Sequence, residues 1–366
     1  MRLWNNGLAL HIYGESHGPE IGLILEGIPK GCSINLDELQ NFVNRRKSQN
    51  SNYSTKRAEP DSITVQSGIT DGITSGSIKI SIKNTDVREV DYENLNSIPR
   101  PSHADYPAYI KYAGNLNMSG GGPFSGRLTA PIVIAGGIAS QILKSYFNIP
   151  LFSHITSIGP VSSDNFEYSK LPFEELNALK YNNFPVLDDN KKLEMCEVIN
   201  NASLKGDSIG GVIEGVAFNL PVGWGGPLFD GIESRLAALL FGIPAVKGVE
   251  FGAGFAISKM LGSKANDQFE FNNGKVVLLS NNNGGLTGGM TNGMPVIVRV
   301  AFKPTPSISI PQKSVNLKTK ENVILQIKGR HDVCFVPRAV VVVESALAIA
   351  LLDVALENGT FNNQIM

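Results

Sequence analysis

The chain has 366 residues, room for two or three domains at ~150 residues each or for one large one, which excludes a small disulfide-stapled module. Hydrophobic residues make up 42% and charged residues 18%, with Lys+Arg 32 against Asp+Glu 33, too apolar for a disordered chain and too neutral for a general nucleic-acid coat. Any anion site must therefore be a local cluster, and 38 glycines point to many demanding loop turns in which to seek it.

Residues 1–14 lack a basic region followed by an apolar run, so no signal peptide is expected. Asn35 precedes Leu36, Leu39, Phe42 and Val43 at helical spacing, with Asp37 and Glu38 in the first turn; the pattern predicts a helix over 36–47 that delivers Arg45, Arg46 and Lys47 at its C-terminal end. Ile78, Ile80 and Ile82 alternate with Lys79, Ser81 and Lys83, the period of a strand with one wet face. Helices are predicted over 130–147 and 232–241. A second alternating strand follows at Val296, Val298, Val300 and Phe302 around Arg299, then a last helix over 337–356. Its longest apolar stretch, 339–352, carries Glu344 and falls short of the ~18 residues of a membrane helix, so a soluble protein is expected. Cys32, Cys196 and Cys334 are odd in number with no CxxC pair, which suits a reducing compartment, by default the cytoplasm. No linker or fixed repeat divides the sequence. The expectation is one α+β domain over residues 1–366, with antiparallel sheets and without the regular alternation of a doubly wound fold.

Three of the five histidines lie in polar loop segments: His17 in Gly14-Glu15-Ser16-His17-Gly18, His103 in Arg100-Pro101-Ser102-His103-Ala104-Asp105, and His331 in Gly329-Arg330-His331-Asp332. Histidines held in loops beside carboxylates and arginines are plausible proton-transfer groups, although any one alone is more often structural. Arg45, Arg46, Lys47, Lys56 and Arg57 crowd into thirteen residues, a pattern that fits anion binding and a solvated basic face equally well. Gly120-Gly121-Gly122 before Ser125, and the glycines around Thr287, could bring backbone N–H groups close to an anion, yet neither segment is a P-loop or a strand-led GxGxxG. Residue chemistry reaches an enzyme acting on a polyanionic small molecule and stops there.

Taken together, GESHG at 14–18, RPSHADY at 100–106, SGRLTAP at 125–131, KGDSIGG at 205–211, PAVKGVEFG at 244–252, NGMPVIVRVAFKPTPSI at 292–308 and GRHDVC at 329–334 resemble the chorismate synthase family in order and spacing. The resemblance runs from about His11 to Asp353. It implies a β-α-β sandwich with helices between two antiparallel sheets, a homotetramer, and a carbon–oxygen lyase of the shikimate pathway. The implied reaction is a 1,4 anti elimination of phosphate from 5-enolpyruvylshikimate 3-phosphate that gives chorismate and needs reduced FMN without net redox change. It further implies a soluble, cytoplasmic enzyme with no nucleic-acid or membrane partner, whose flavin is reduced either by the enzyme itself with NADPH or by a separate flavin reductase.

By the same resemblance, His17, supported by Ser16, protonates the departing phosphate, His103 sets the protonation of the reduced flavin, and Asp332 relays the ring proton. Arg45, Arg46, Arg100, Arg127 and Arg338 would hold the substrate, Arg46 also matching a reductant position. Ser125, Ala245, Gly288, Lys303, Pro304, Thr305, Pro306, Ser307 and Arg330 would hold FMN, and no metal is implied. This chain departs from the family pattern where Pro123-Phe124 replace a usual Arg-Ser, Ser119 and Asn52 replace arginines, and Ser102 replaces Gly or Asn. Two other functions fit the residues: a binding module that has lost catalysis, and a flavin reductase. The three retained proton-transfer groups favour the lyase.

Overall fold

In the N-terminal part of the chain, branched aliphatic residues recur at every second position and meet across strands. The computed structural model describes residues 7–47, 59–85, 97–116, 119–163, 172–327 and 332–358. It begins with β1 (Ala9–Gly14), β2 (Glu20–Glu26), α1 (Leu36–Asn44), β3 (Ile63–Thr70) and β4 (Ile73–Lys83). The four strands form an antiparallel sheet in the order β1-β2-β4-β3. Its register sets Ile21, Leu23 and Leu25 opposite Ile82, Ile80 and Ile78, so one face is a continuous apolar surface and buries all six side chains.

The middle of the chain supplies α2 (Asp105–Lys111), α3 (Thr129–Phe147), β5 (Leu151–Ile158), β6 (Val161–Ser162), α4 (Phe173–Leu179), α5 (Asp189–Leu204), β7 (Gly211–Ala217), α6 (Ile232–Phe241) and β8 (Val246–Phe251). After α7 (Gly262–Ala265) come the hairpins β9 (Phe269–Asn272)/β10 (Lys275–Leu278) and β11 (Leu286–Thr287)/β12 (Met290–Thr291). The chain then runs through β13 (Val296–Phe302), the hairpin β14 (Gln312–Asn316)/β15 (Glu321–Leu325), and α8 (Val336–Glu357). The second sheet is antiparallel in the order β6-β5-β7-β13-β8.

Helices fill the space between the sheets. α3 packs on β2, on α1 and on α8, and α8 packs on β5 and β7, giving the expected sandwich. The two central helices approach so closely that a Cβ on Gly136 would fall 2.2 Å from the Cβ of Ser345, which makes glycine obligatory at that crossing. Val296, Val298 and Val300 of β13 point inward as their alternation predicts. On the other face of that sheet, His154, Glu214, Arg299 and Glu250 are cross-strand neighbours, and Arg299 Nε donates to Glu250 Oε1 at 2.8 Å. The wet-face position is thus occupied by a largely buried charge ladder.

One boundary differs from the sequence expectation. The helix predicted over 36–47 ends at Asn44, where Arg45 caps it, so the three cations emerge just past its last turn. The last helix, predicted over 337–356, runs from Val336 to Glu357, 22 residues, and by length and composition it and the segment Gly126–Phe147 could each cross a membrane. Both are instead the mostly buried core helices of the sandwich.

Candidate active site

His17 sits in the tight connection between β1 and β2. Gly14, with φ 85, turns the chain out of β1, and Gly18 N donates to Glu15 O at 3.1 Å to close the turn around buried Ser16. Asn84, just past β4, clamps this turn: its Nδ2 donates to Glu15 O at 3.0 Å and to Gly18 O at 2.7 Å, and its backbone N–H donates to Pro19 O at 3.0 Å. Its Oδ1 accepts from Arg127 Nε at 3.1 Å.

Arg127 leads into a buried charge junction. Asp61, 1% exposed, takes Arg127 Nη1 on one carboxylate oxygen and Arg46 Nη1 on the other, the latter at 2.9 Å. Arg46 also donates from Nε to Thr129 Oγ1 at 3.0 Å and from Nη2 to Gly126 O at 3.2 Å. Burial lowers its pKa to about 9, Asp61 opposing the shift and Arg338 and Arg127 adding to it, so it keeps its charge at neutral pH. The position expected to offer an open fork to an anion is therefore buried and engaged on all three nitrogens. Arg127 Nη2 is buried with no hydrogen-bond partner among the described residues, its carboxylate neighbour Glu59 Oε2 standing at 4.0 Å, the outer limit of an ion pair.

The other arginines are also paired. Arg45 forms a two-pronged pair with Glu344 of α8 at 3.0 and 2.7 Å, and Arg338 grips both oxygens of Asp332 at 3.2 and 2.9 Å while donating from Nε to Arg46 O at 3.2 Å. Arg338 and Asp332 are the most exposed of these pairs, at 23% and 19% of their side chains.

His103 is set by a second knot. Asp105 accepts from Arg100 Nε at 2.7 Å and Nη2 at 2.8 Å, and its Oδ1 lies 2.6 Å from His103 Nδ1. Nδ1 has two neighbours, Arg100 Nη2 at 3.1 Å, which can only donate, and the carboxylate, which can only accept; the shorter contact to the carboxylate assigns the proton to Nδ1 and leaves Nε2 facing the Gly121–Ser125 segment, where a Cβ on Gly121 would lie 3.8 Å from it. Burial alone would raise the Asp105 pKa, but the hydrogen bonds and charges of Arg100 and His103 hold it well below the usual carboxylate range.

Lys303 ties this knot to the second sheet. Its ammonium donates to Ser102 O and its backbone N–H to Ala245 O at 3.0 Å, while burial and then Lys247 lower its pKa. Ser102 and Ala245 both adopt left-handed backbone, φ 58 and φ 74, which costs a residue with a side chain ~1–2 kcal/mol. Glycine or asparagine would adopt that conformation more readily, and such strain concentrates at functional sites. Ser307 Oγ lies 3.5 Å from Arg100 Nη1, Ser208 Oγ donates to Thr305 O at 2.7 Å, and the Thr305 hydroxyl is buried with no hydrogen-bond partner among the described residues.

A profile of the family described as chorismate synthase matches residues 8–356. The chain belongs to the chorismate synthase family. The chorismate synthase of Thermococcus kodakarensis is 44% identical over 360 residues, covering 98% of each chain. That of Korarchaeum cryptofilum is 42% identical over 354 residues, covering 96% of each. A solved chorismate synthase crystal structure superposes with a TM-score of 0.77 at 29% identity, covering 97% of this chain and 96% of that one.

Of the positions singled out by resemblance to that family, His17, Arg46, Arg127, Ser125, Arg100, His103, Lys303 and Ser307 are joined by the contacts above, Arg127 N donating to Ser125 Oγ at 3.3 Å. Arg45, Arg338 and Asp332 border this group. Pro304 and Pro306 flank Thr305, whereas Gly288, φ 62, turns the β11/β12 hairpin near the start of α6 and is not linked to the others by these contacts. Arg330 lies outside the described residues, as do Asn52, Lys56 and Arg57. Sequence reasoning did not single out Asp61, Asn84 or Glu344; each pairs with a distant residue and has no motif of its own.

Proposed function

We propose that this protein converts 5-enolpyruvylshikimate 3-phosphate to chorismate by 1,4 anti elimination of phosphate, with reduced FMN. The observation that carries this reading is a set of five arginines, each balanced by a carboxylate (Asp61, Asp105, Asp332 or Glu344), with Arg100 beside His103 and Arg127 tied through Asn84 to the turn that bears His17. A substrate with one phosphate and two carboxylates suits such a site, because its anionic groups can take the place of protein carboxylates without unpairing a cation.

The residues fit FMN. The buried Thr305 hydroxyl lacking a partner, with Ser125, Ser307 and Lys303 nearby in the same network, offers the donors a flavin and its phosphate require. The chemistry reduced FMN supplies when bound is transient electron donation to the breaking C–O bond. His17 holds the proton for the departing phosphate. His103, with Nδ1 committed to Asp105, presents Nε2 as the atom that exchanges a proton. Asp332, freed when an anionic group of the substrate engages Arg338, accepts one. Phosphate leaves with its bonding pair, a ring proton leaves, a new double bond forms, and no net electron is gained or lost.

The same reading makes the protein a single-domain subunit of a homotetramer in the cytoplasm, with NADPH or a separate flavin reductase supplying the reduced flavin. The test is anaerobic turnover with reduced FMN and 5-enolpyruvylshikimate 3-phosphate, followed by phosphate release. Many turnovers with the flavin spectrum ending reduced, and none with oxidised FMN, are expected. Equal turnover without flavin overturns the mechanism, and NADPH consumed in proportion to product favours the flavin reductase.

A further inference from the structure

We propose that Asn84 is a positioning residue that couples substrate capture at Arg127 to placement of His17, a role that rests on the assignment of His17 as the acid. The side-chain amide has an unambiguous orientation, because its oxygen faces a guanidinium that can only donate and its nitrogen faces two carbonyls that can only accept. One planar group thus joins Arg127 Nε to both ends of the four-residue turn, at Glu15 and Gly18, with His17 between them. The backbone of Asn84 adds a third tie at Pro19.

On the far side of Arg127, Asp61 holds Nη1, and Nη2 is left without a hydrogen bond among the described residues. An anion that takes Nη2 draws on a guanidinium fixed on both flanks. Any shift of that plane passes through one amide to the turn bearing His17, with no flexible side chain in between. A second consequence is that Asn84 divides into two separable halves, an acceptor for the arginine and a donor pair for the turn.

Two variants separate the halves. Asn84→Asp keeps an acceptor for Arg127 but sets a carboxylate oxygen against the Glu15 and Gly18 carbonyls, so KM should stay within about threefold while kcat falls by about 10- to 100-fold, the scale of a small misplacement of a catalytic group. Asn84→Ala removes both halves, so KM should rise as well as kcat fall. A readout independent of turnover is the imidazole NMR spectrum of the flavin-free protein, in which five histidines give few signals and His17→Ala assigns the one of interest. In both Asn84 variants the His17 signal should shift, and its response to added inorganic phosphate should weaken, while the His103 signal keeps its parent position. Parent-like His17 signals and parent-like kcat in both variants would overturn the proposal, as would a fall in kcat for Asn84→Asp without movement of the His17 signal. If the parent itself fails to release phosphate from 5-enolpyruvylshikimate 3-phosphate, the functional reading fails separately, and the NMR arms still decide whether Asn84 couples the two residues.

Discussion

Asp61 and Asp105 each hold two basic side chains with one carboxylate, but they fasten different things. The partners of Asp61 come from 15 and 66 residues away, past the end of α1 and just before α3, and all three side chains are at least nine-tenths buried. The partners of Asp105 are five and two residues away in one loop. The first is a tertiary fastener: it brings elements of the first sheet and the helical layer together, and it can do little else because arginine does not titrate near neutrality. The second shapes one loop and, because one partner is an imidazole, fixes which nitrogen carries a proton. A shared carboxylate between distant arginines contributes architecture; the same carboxylate between an arginine and a nearby histidine sets proton chemistry.

Asp61→Ala should have the largest effect on stability, because it removes the carboxylate that pairs with buried Arg46 and leaves buried Arg127 only the longer contact with Glu59 at 4.0 Å, about 3–5 kcal/mol by urea denaturation. A loss no larger than that of the Asp105 variant would erase the distinction. Asp105→Asn keeps the shape and removes the charge, with an expected cost of about 1.5–3 kcal/mol and unlocked His103 tautomers, readable by imidazole NMR. The same variant gives a pH test. The Asp105 pKa is lower in the folded protein, so its contribution is complete above the unfolded value of ~4 and is lost as pH falls from there towards the folded value. The stability gap between parent and Asp105→Asn should therefore narrow as pH drops below about 4, and a gap that widens would reverse the sign of the shift. The smallest effect is expected at Ser102, where Gly relieves the left-handed strain but gains freedom when unfolded, for a net stabilisation of up to about 1 kcal/mol in thermal melts.

The two carboxylates also mark what the sequence exposes. Arg100, His103 and Asp105 stand within six residues, so their pairing is legible as soon as the loop is recognised. Asp61, Asn84 and Glu344 meet partners 66, 43 and 299 positions away, and no periodicity or motif announces such a meeting. The same pairing explains how charges sit inside the last helix. Counting apolar residues stops at Arg338 and Asp353, yet both continue α8, because Arg338 is paired with Asp332 and Asp353 accepts from Gly7 N and Leu8 N and faces Arg235 at 3.5 Å. Helical spacing carried the predicted helix through both charges, but nothing in the sequence names the partners that neutralise them. Strand and core positions were legible because side-chain period follows from backbone geometry alone.

The place of α8 in the order of synthesis has a consequence for how the protein comes into being. Every other described element precedes residues 336–357, yet this helix covers the inner face of the second sheet and the flank of α3. A ribosome that has completed residue 335 therefore carries two sheets' worth of apolar surface with its central filler missing. At ~5–20 residues per second that condition lasts for seconds, long enough for a chaperone or a protease to find it. A chain stalled before Val336 keeps the packing of α3 on the first sheet and on α1 but leaves the inner faces of β5 and β7 bare, so arrival of the final helix decides whether the second sheet is covered.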